Sequence, residues 1–174
     1  MDNNIRKYIR EVIDFPKEGI SYKDITPLLM NVDISNYIIS EFVDRINHLK
    51  IDAIAGIESR GFFYGFLLAN RIGVPFIPIR KSGKLPSKTI KCKYDLEYGS
   101  AEIEIHPNDI NNDWNILIHD DLLATGGTAC AAAQLIKMAN ANVAGFAFLI
   151  NLTYLNPYEK LNLYSDNFIS LVDY

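Results

Sequence analysis

The chain has 174 residues, of which 49% are hydrophobic and 22% charged, the composition of one globular domain with a full core. A net charge of -4 argues against a general nucleic-acid binder. No apolar run approaches the roughly 20 residues that a membrane-spanning helix needs, and the N-terminus lacks the basic-then-apolar order of a signal peptide. The two cysteines, Cys92 and Cys130, are too few for a disulfide framework. We therefore expect a cytosolic protein without membrane or nucleic-acid partners.

The first part of the chain contains two segments in which apolar residues recur at helical spacing. The first covers residues 5–12, and Phe15-Pro16 ends it. Residues 20–29 are predicted to be irregular. The second helical segment covers residues 34–46, with Asp33 as its candidate N-cap.

From residue 51 onward the pattern alternates between strands and helices. Four short apolar runs are typical of buried strands: 51–57, 74–79, 116–118 and 143–150. Two segments have the length and composition of helices: 62–72 and 128–140. Gly73 and Asn140 stand where such helices commonly turn left-handed. The alternation predicts an α/β fold, a mostly parallel twisted sheet flanked by helices.

A segment of different character interrupts this alternation. Residues 81–91 are polar, and two strand-like segments, 94–98 and 101–105, flank Gly99-Ser100. Apolar and charged residues alternate with period two in the second segment, which predicts a β-hairpin. An insertion at the carboxyl end of a parallel sheet is placed to close over a ligand. We call residues 81–106 the lid.

Residues 116–128, I-L-I-H-D-D-L-L-A-T-G-G-T, join an apolar strand, two acids and a small-residue loop that leads into a helix. Backbone N–H groups of such a loop, at a helix N-terminus, form a cradle for an anion. The acid pair, Asp120 and Asp121, can accept hydrogen bonds from sugar hydroxyls. The combination predicts a site for a phosphorylated sugar, with residues 124–128 as the phosphate loop. The alternative is that the acids cap a turn and the glycines only let a strand pass into a helix.

Two further segments place cations directly after predicted strands. Ser59-Arg60 follows the first strand, and the Arg60 guanidinium can clamp a phosphate group with two hydrogen bonds. Arg80, Lys81 and Lys84 follow the second strand. Parallel sheets bind ligands at the carboxyl ends of their strands, so these cations suit a pyrophosphate. The alternative for Arg60 is a surface arginine near a helix start, and the alternative for Arg80, Lys81 and Lys84 is a solvated loop.

These motifs together resemble the type I phosphoribosyltransferase family, over nearly the whole chain. The matching motifs are F-P-K-E-G-I (15–20), K-D-I-T-P-L-L (23–29), E-S-R-G-F (58–62), I-R-K-S-G-K-L-P (79–86), Y-D-L-E-Y-G (94–99) and D-D-L-L-A-T-G-G-T (120–128). The resemblance implies a single domain over residues 1–174, with residues 1–32 forming a small N-terminal hood and the lid as a hairpin. It also implies a homodimer.

The N-terminal and lid motifs match family members that act on adenine. They imply the reaction of adenine with 5-phosphoribosyl 1-pyrophosphate (PRPP) to give AMP and pyrophosphate. The resemblance implies Mg²⁺ as cofactor, held mainly by oxygens of PRPP or pyrophosphate rather than by protein ligands.

The resemblance also assigns roles at the ribose and the phosphates. The acid pair would hold the ribose hydroxyls and steady positive charge at the anomeric carbon. The 5′-phosphate would be held by the phosphate loop: Ala124, Thr125, Gly126, Gly127 and Thr128. Pyrophosphate would face a serine and four cations, some from a neighbouring subunit: Ser59, Arg60, Arg80, Lys81 and Lys84. The turn at Glu58-Ser59 is expected to hold a cis peptide. The catalytic residues would be Glu97, Asp120, Asp121 and Arg60.

Adenine would lie against three hood residues and one residue near the fourth strand: Ser21, Tyr22, Lys23 and Leu152. Glu97 on the lid would address N7 of the base and give a proton, with Tyr98 beside it. Most glutamates on hairpins are simply solvated. The alternative for Glu97 is therefore that it has no role in the chemistry. The sequence departs from the family at Ser21, Lys23 and Asn151, where an apolar residue, an arginine and an acid are usual.

Two other functions remain open at this stage. The nearer one is transfer to a base other than adenine. The other, from a different class, is a PRPP-sensing regulatory protein that has kept the fold and lost the chemistry.

Overall fold

The computed structural model describes residues 3–95 and 99–174 of the chain. Within these residues a seven-stranded sheet has the order β5-β6-β4-β3-β7-β8-β9. Its strands are β3 (Ala53–Ile57), β4 (Phe76–Lys81), β5 (Ile90–Asp95), β6 (Ser100–Ile105), β7 (Asn115–Leu123), β8 (Asn142–Asn151) and β9 (Phe168–Asp173). Five neighbouring strands, β4, β3, β7, β8 and β9, pair in parallel. At one edge of the sheet, β6 pairs antiparallel with β4 and β5 pairs antiparallel with β6. The predicted fold class, α/β with a mostly parallel sheet between helices, is confirmed.

Helices cover both faces of the sheet: α3 (Val32–Ile46), α4 (Gly61–Ile72), α5 (Gly127–Met138) and the short α6 (Tyr158–Leu161). Short 3₁₀ turns follow β6 (Pro107–Asp109) and β8 (Thr153–Leu155). No helix among the described residues is long and apolar enough to cross a membrane.

Two apolar layers hold the helices to the sheet, and alternation along the strands divides the side chains between them. Ile54 and Leu117 face the layer that contains Phe42 of α3 and Tyr64 of α4. Their neighbours in the strands face the layer under α5, which is lined by alanines and leucine. Each fully buried Leu or Ile contributes about 1.5–3 kcal/mol relative to an exposed one, so these layers fix where the strand ends lie.

The hood differs from the prediction made for it. The first helix, α1 (Asn3–Arg6), is a single turn, and residues 10–12, which were expected to continue it, belong to the strand β1 (Arg10–Ile13). The segment predicted to be irregular contains β2 (Ser21–Asp24) and α2 (Thr26–Leu29). The strands β1 and β2 pair antiparallel, from Arg10 opposite Asp24 to Ile13 opposite Ser21. Pairing with a distant segment therefore overrides the local helical spacing.

Two local predictions also need correction, and two are confirmed. The N-cap of α3 is Asn31, whose side chain accepts a hydrogen bond from the Ile34 amide at 3.1 Å, and Asp33 lies in the first turn instead. The third predicted strand is longer than expected, because β7 keeps its register with β8 as far as Leu123. Gly73 and Asn140 are left-handed, with φ of 74° and 58°, as predicted for residues that follow helices.

Candidate active site

The phosphate loop lies between β7 and α5 and lines a cavity of about 180 Å³. Gly126 adopts a left-handed conformation with φ of 79° and precedes the first helical residue, Gly127. No side chain among the described residues caps this helix at Gly126, so amides of its first turn can bind an anion. A Cβ at Gly126 would lie 3.1 Å from the Pro157 carbonyl oxygen, so the segment around Pro157 packs closely against the loop.

The acid pair lies inside β7 and is largely withdrawn from water. Asp121 is 2% exposed, and its amide donates a hydrogen bond of 2.9 Å to Oδ1 of Asp120. Burial raises the pKa of both carboxyls, and the neighbouring Asp121 charge raises that of Asp120 further. The Arg60 guanidinium opposes these shifts. Positive charge placed beside the pair would therefore favour its ionised form.

The turn between β3 and α4 comes very close to this pair. A Cβ at Gly61 would lie 2.8 Å from the His119 carbonyl oxygen and 2.9 Å from Oδ1 of Asp120, so a glycine is required here. The Glu58-Ser59 peptide in this turn is cis, as the resemblance implied.

Arg60 contacts two segments that are far apart in the sequence. Its Nε lies 3.0 Å from Oδ2 of Asp121. Its Nη1 donates hydrogen bonds to the Tyr22 hydroxyl and, at 3.3 Å, to the Lys23 carbonyl oxygen, and its guanidinium lies 4.9 Å from the Tyr22 ring centroid. The side chain expected at pyrophosphate thus connects the acid pair with the hood.

Arg80 is held by Glu58, for which the sequence analysis predicted no role. Arg80 donates from Nε at 3.1 Å and from Nη2 at 3.3 Å to the Glu58 carboxylate, and the Lys81 amide donates to the same group at 2.9 Å. Burial would raise the pKa of Glu58, but these donors hold it below its usual value. The Glu58 carboxylate therefore joins the ends of β3 and β4. The sequence signal that could have identified Glu58 is its position directly after a buried strand.

A second cavity, of about 320 Å³, lies beside the first. It is lined by the turn after β3, by the end of β4, by the lid strand β5 and by the acid pair: Glu58, Ser59, Arg60, Lys81, Tyr94, Asp120 and Asp121. Leu122, Thr128 and Asp120 line both cavities. Tyr94 is a lining residue that the sequence analysis assigned only to the lid motif. Lys84 does not line this cavity, and its amide donates to Glu104 at 2.9 Å.

The residues expected around the base lie on β2 and after β8. The Tyr22 ring packs edge-on against Phe15 at 5.1 Å, and Lys23 is buried. Leu152 is 8% exposed in the layer under α3 and α4. Asn151 donates to the Tyr158 hydroxyl and, at 3.2 Å, to Asp173. Glu97 and Tyr98 lie outside the described residues.

The fold and these two adjoining cavities have the shape and the charges that suit a sugar carrying phosphate groups at two ends. A family model described as "Phosphoribosyl transferase domain" matches residues 21–165. The chain therefore belongs to the phosphoribosyltransferase family.

Individual relatives narrow this class. The chain is 46% identical to adenine phosphoribosyltransferase of Christiangramia forsetii over 98% of both chains. It is 44% identical to the crystal structure of adenine phosphoribosyltransferase from Thermoanaerobacter pseudethanolicus, with a TM-score of 0.95 over 98% of both chains. The Saccharomyces cerevisiae enzyme, solved with an imino-altritol bisphosphate and adenine, is 36% identical with a TM-score of 0.88, over 97% of this chain and 96% of that one. Within the family, the chain is a member of the adenine phosphoribosyltransferases.

Proposed function

We propose that the chain transfers the 5-phosphoribosyl group of PRPP to adenine and releases AMP and pyrophosphate, as a pentosyltransferase of purine salvage. The arrangement of the two cavities carries the proposal. PRPP has a phosphate at one end of its ribose and a pyrophosphate at the other, and Asp120 lies where the phosphate-loop cavity meets the cation-lined one. A ribose beside Asp120 would place its 5′-phosphate in the loop and its pyrophosphate near Ser59 and Arg60.

In this arrangement the acid pair stabilises the transition state. Positive charge develops on the ribose as the bond to pyrophosphate breaks. Because the pair is buried, water screens its charge poorly, so a cationic sugar beside Asp120 and Asp121 interacts with the carboxylates more strongly than neutral ribose does and favours their ionised forms. Fixed charges at a partly dehydrated site act without the reorganisation that water would need.

Departing pyrophosphate would be stabilised by Ser59, Arg60 and Lys81 in the second cavity, which Arg80 and Lys84 do not line. We propose that Mg²⁺ is held here mainly by oxygens of PRPP or pyrophosphate, as is common for this strongly hydrated ion. When bound, the ion would neutralise charge on the leaving pyrophosphate.

Adenine would stack on Tyr22 and meet backbone groups of Ser21 and Lys23, with Leu152 behind it. Glu97 on the lid would exchange a proton with the base at N7, with Tyr98 beside it: it would accept the proton that adenine loses as AMP forms, and give it back to departing adenine in the reverse reaction. The chemistry of a lid acid requires exclusion of water, and we propose that closure of the lid provides it.

We also propose a homodimer, with α4 as part of the interface. Phe63, Phe66 and Leu67 form a contiguous apolar face on this helix and are 46%, 56% and 45% exposed. A patch of this kind, one turn from Arg60, suits a second copy of the chain and would bring that copy close to the pyrophosphate cavity. A cytosolic location fits the two free cysteines, Cys92 and Cys130.

The test is an activity panel with PRPP, Mg²⁺ and the bases adenine, hypoxanthine, guanine and xanthine. We expect AMP formation from adenine to exceed turnover of every other base. Turnover of another base but not adenine would assign a different specificity. PRPP binding without turnover of any base would favour the regulatory alternative. A crystal soaked with AMP should place the 5′-phosphate at residues 124–128, and an AMP bound elsewhere would overturn the site.

A further inference from the structure

Lys23 is a charged side chain buried on the strand that carries the proposed base contacts. It is 6% exposed and forms an ion pair with Glu11 on the neighbouring strand β1. It also donates a hydrogen bond of 3.0 Å to the Ser21 hydroxyl. Burial of an ammonium group costs free energy unless the group has partners. The partners of the Lys23 ammonium therefore determine the position in which β2 is stable.

The remaining partner of this ammonium is an aromatic ring from the other end of the chain. The Lys23 Nζ lies 4.3 Å from the centroid of the Tyr174 ring. The guanidinium of Arg6, on α1, lies 4.2 Å from the same centroid. Both distances are within the range of a cation–π interaction. One ring therefore contacts cations from two separate elements of the hood.

The backbone of Tyr174 is fixed to the sheet rather than to the hood. Its amide donates to the Asn151 carbonyl oxygen at 2.9 Å. Its own carbonyl oxygen accepts hydrogen bonds from the Thr153 amide at 3.0 Å and from the Thr153 hydroxyl at 2.8 Å. These partners flank Leu152, the residue proposed to lie behind the base. The ring is thus held by the segment that forms one side of the base site.

We propose that Tyr174 is a positioning residue for the base: through its cation–π contact with Lys23 it sets the distance between β2 and the segment around Leu152. The inference rests on the proposed function. Arg60 holds the Lys23 carbonyl oxygen from the acid-pair side, at 3.3 Å, and Tyr174 holds the Lys23 side chain. Within residues 3–95 and 99–174, loss of the ring leaves the ammonium with Glu11 and Ser21 as its partners, and β2 can then move toward water.

The experiment separates the electrostatic contact from simple packing. Tyr174→Phe keeps an aromatic ring with a negative face. Tyr174→pentafluorophenylalanine keeps a ring of similar shape but reverses the sign of the partial charge on its face. Tyr174→Leu removes the ring. For each variant, KM for adenine, KM for PRPP, kcat and the unfolding temperature are measured. We expect Tyr174→Phe to resemble wild type. The other two should raise KM for adenine about tenfold, equivalent to about 1.4 kcal/mol, with KM for PRPP within about twofold.

Arg6→Gln is the matched control, because Arg6 contacts the same ring but lies outside β2. It should leave KM for adenine within about twofold of wild type. An unchanged KM for adenine in the pentafluorophenylalanine variant would overturn the inference, as would equal rises for adenine and PRPP. The fluorinated variant keeps this test available even if Tyr174→Leu does not fold. Absence of adenine turnover by the wild-type protein would instead overturn the proposed function.

Discussion

His119 should make the stability of this protein strongly dependent on pH in the mildly acidic range. The side chain is fully buried in β7, next to the acid pair, and its ring packs edge-on against Phe42 at 5.3 Å. Among residues 3–95 and 99–174, neither ring nitrogen has a hydrogen-bond partner. Burial lowers the pKa of this imidazole from 6.5 to about 4.

The sign and size of the effect follow from linkage. The unfolded chain binds a proton at His119 below pH 6.5, whereas the folded chain binds it only near pH 4, so the stability present above pH 6.5 is lost as pH falls. With these two pKa values, the loss between pH 7 and pH 5 is about 2 kcal/mol and approaches about 3 kcal/mol near pH 4. Asp120 and Asp121, whose pKa values are raised, contribute in the opposite direction.

His119→Leu isolates the histidine from these other groups. Leucine has a similar volume and no polar atoms, so the variant should lose the histidine contribution to the pH dependence. We would measure the free energy of unfolding by urea titration at pH 7, 6 and 5 for wild type, His119→Leu and His48→Leu, the last being the same change at an exposed histidine. The difference between wild type and His119→Leu should change by about 2 kcal/mol across this range, in favour of the variant at pH 5. Parallel curves for those two proteins, or an equal change in His48→Leu, would refute the reasoning.

Three further substitutions test the site and the proposed interface. Gly61→Ala would place a Cβ 2.9 Å from Oδ1 of Asp120, and we expect it to cost about 1–3 kcal/mol in urea unfolding and to weaken PRPP binding; wild-type values for both would contradict the close approach. Asp121→Asn should lower kcat/KM at least tenfold while the circular dichroism spectrum stays unchanged, and unaltered kinetics would argue against its role. Phe63→Asp should shift sedimentation toward the monomer, whereas Met138→Asp, at an exposed apolar residue on α5, should not; a dimer in both variants would exclude α4 from the interface.

The sheet could be predicted from the sequence because its parallel strands are buried on both faces. Residues 53–57 and 142–151 are almost continuously apolar and buried, which gives a signal that does not depend on their partners. The hood could not be predicted in this way. The strands β1 and β2 have four residues each, and β1 exposes most of its side chains, so only the pairing between them distinguishes these strands from irregular chain.

The positions of the candidate site residues could be predicted where those residues are consecutive in the sequence, and less well where they depend on pairs that are distant in the sequence. The sequence places the acid pair, the phosphate loop and the Ser59-Arg60 turn at strand ends, and the structure brings them around two adjoining cavities. The partner of Arg80 is Glu58, 22 residues away, and no local pattern selects that pair. The extension of β7 through the acid pair likewise depends on its register with β8.

Arg60 shows why such distant pairs matter for the chemistry. Local sequence suggests one role for it, at pyrophosphate, yet its guanidinium contacts the acid pair through Asp121 and the strand β2 through Tyr22 and Lys23. A cation that opposes the raised pKa of Asp121 keeps part of the negative charge in place before any substrate binds. Pyrophosphate that attracts Arg60 would loosen its pairing with Asp121 and free that carboxylate for a developing positive charge on ribose. We therefore expect Arg60→Lys, which retains the charge without the planar set of donors, to have its main effect on the coupling between the two ligands. The change that bound PRPP makes in the Kd of adenine should fall by more than the Kd of PRPP or of adenine alone changes.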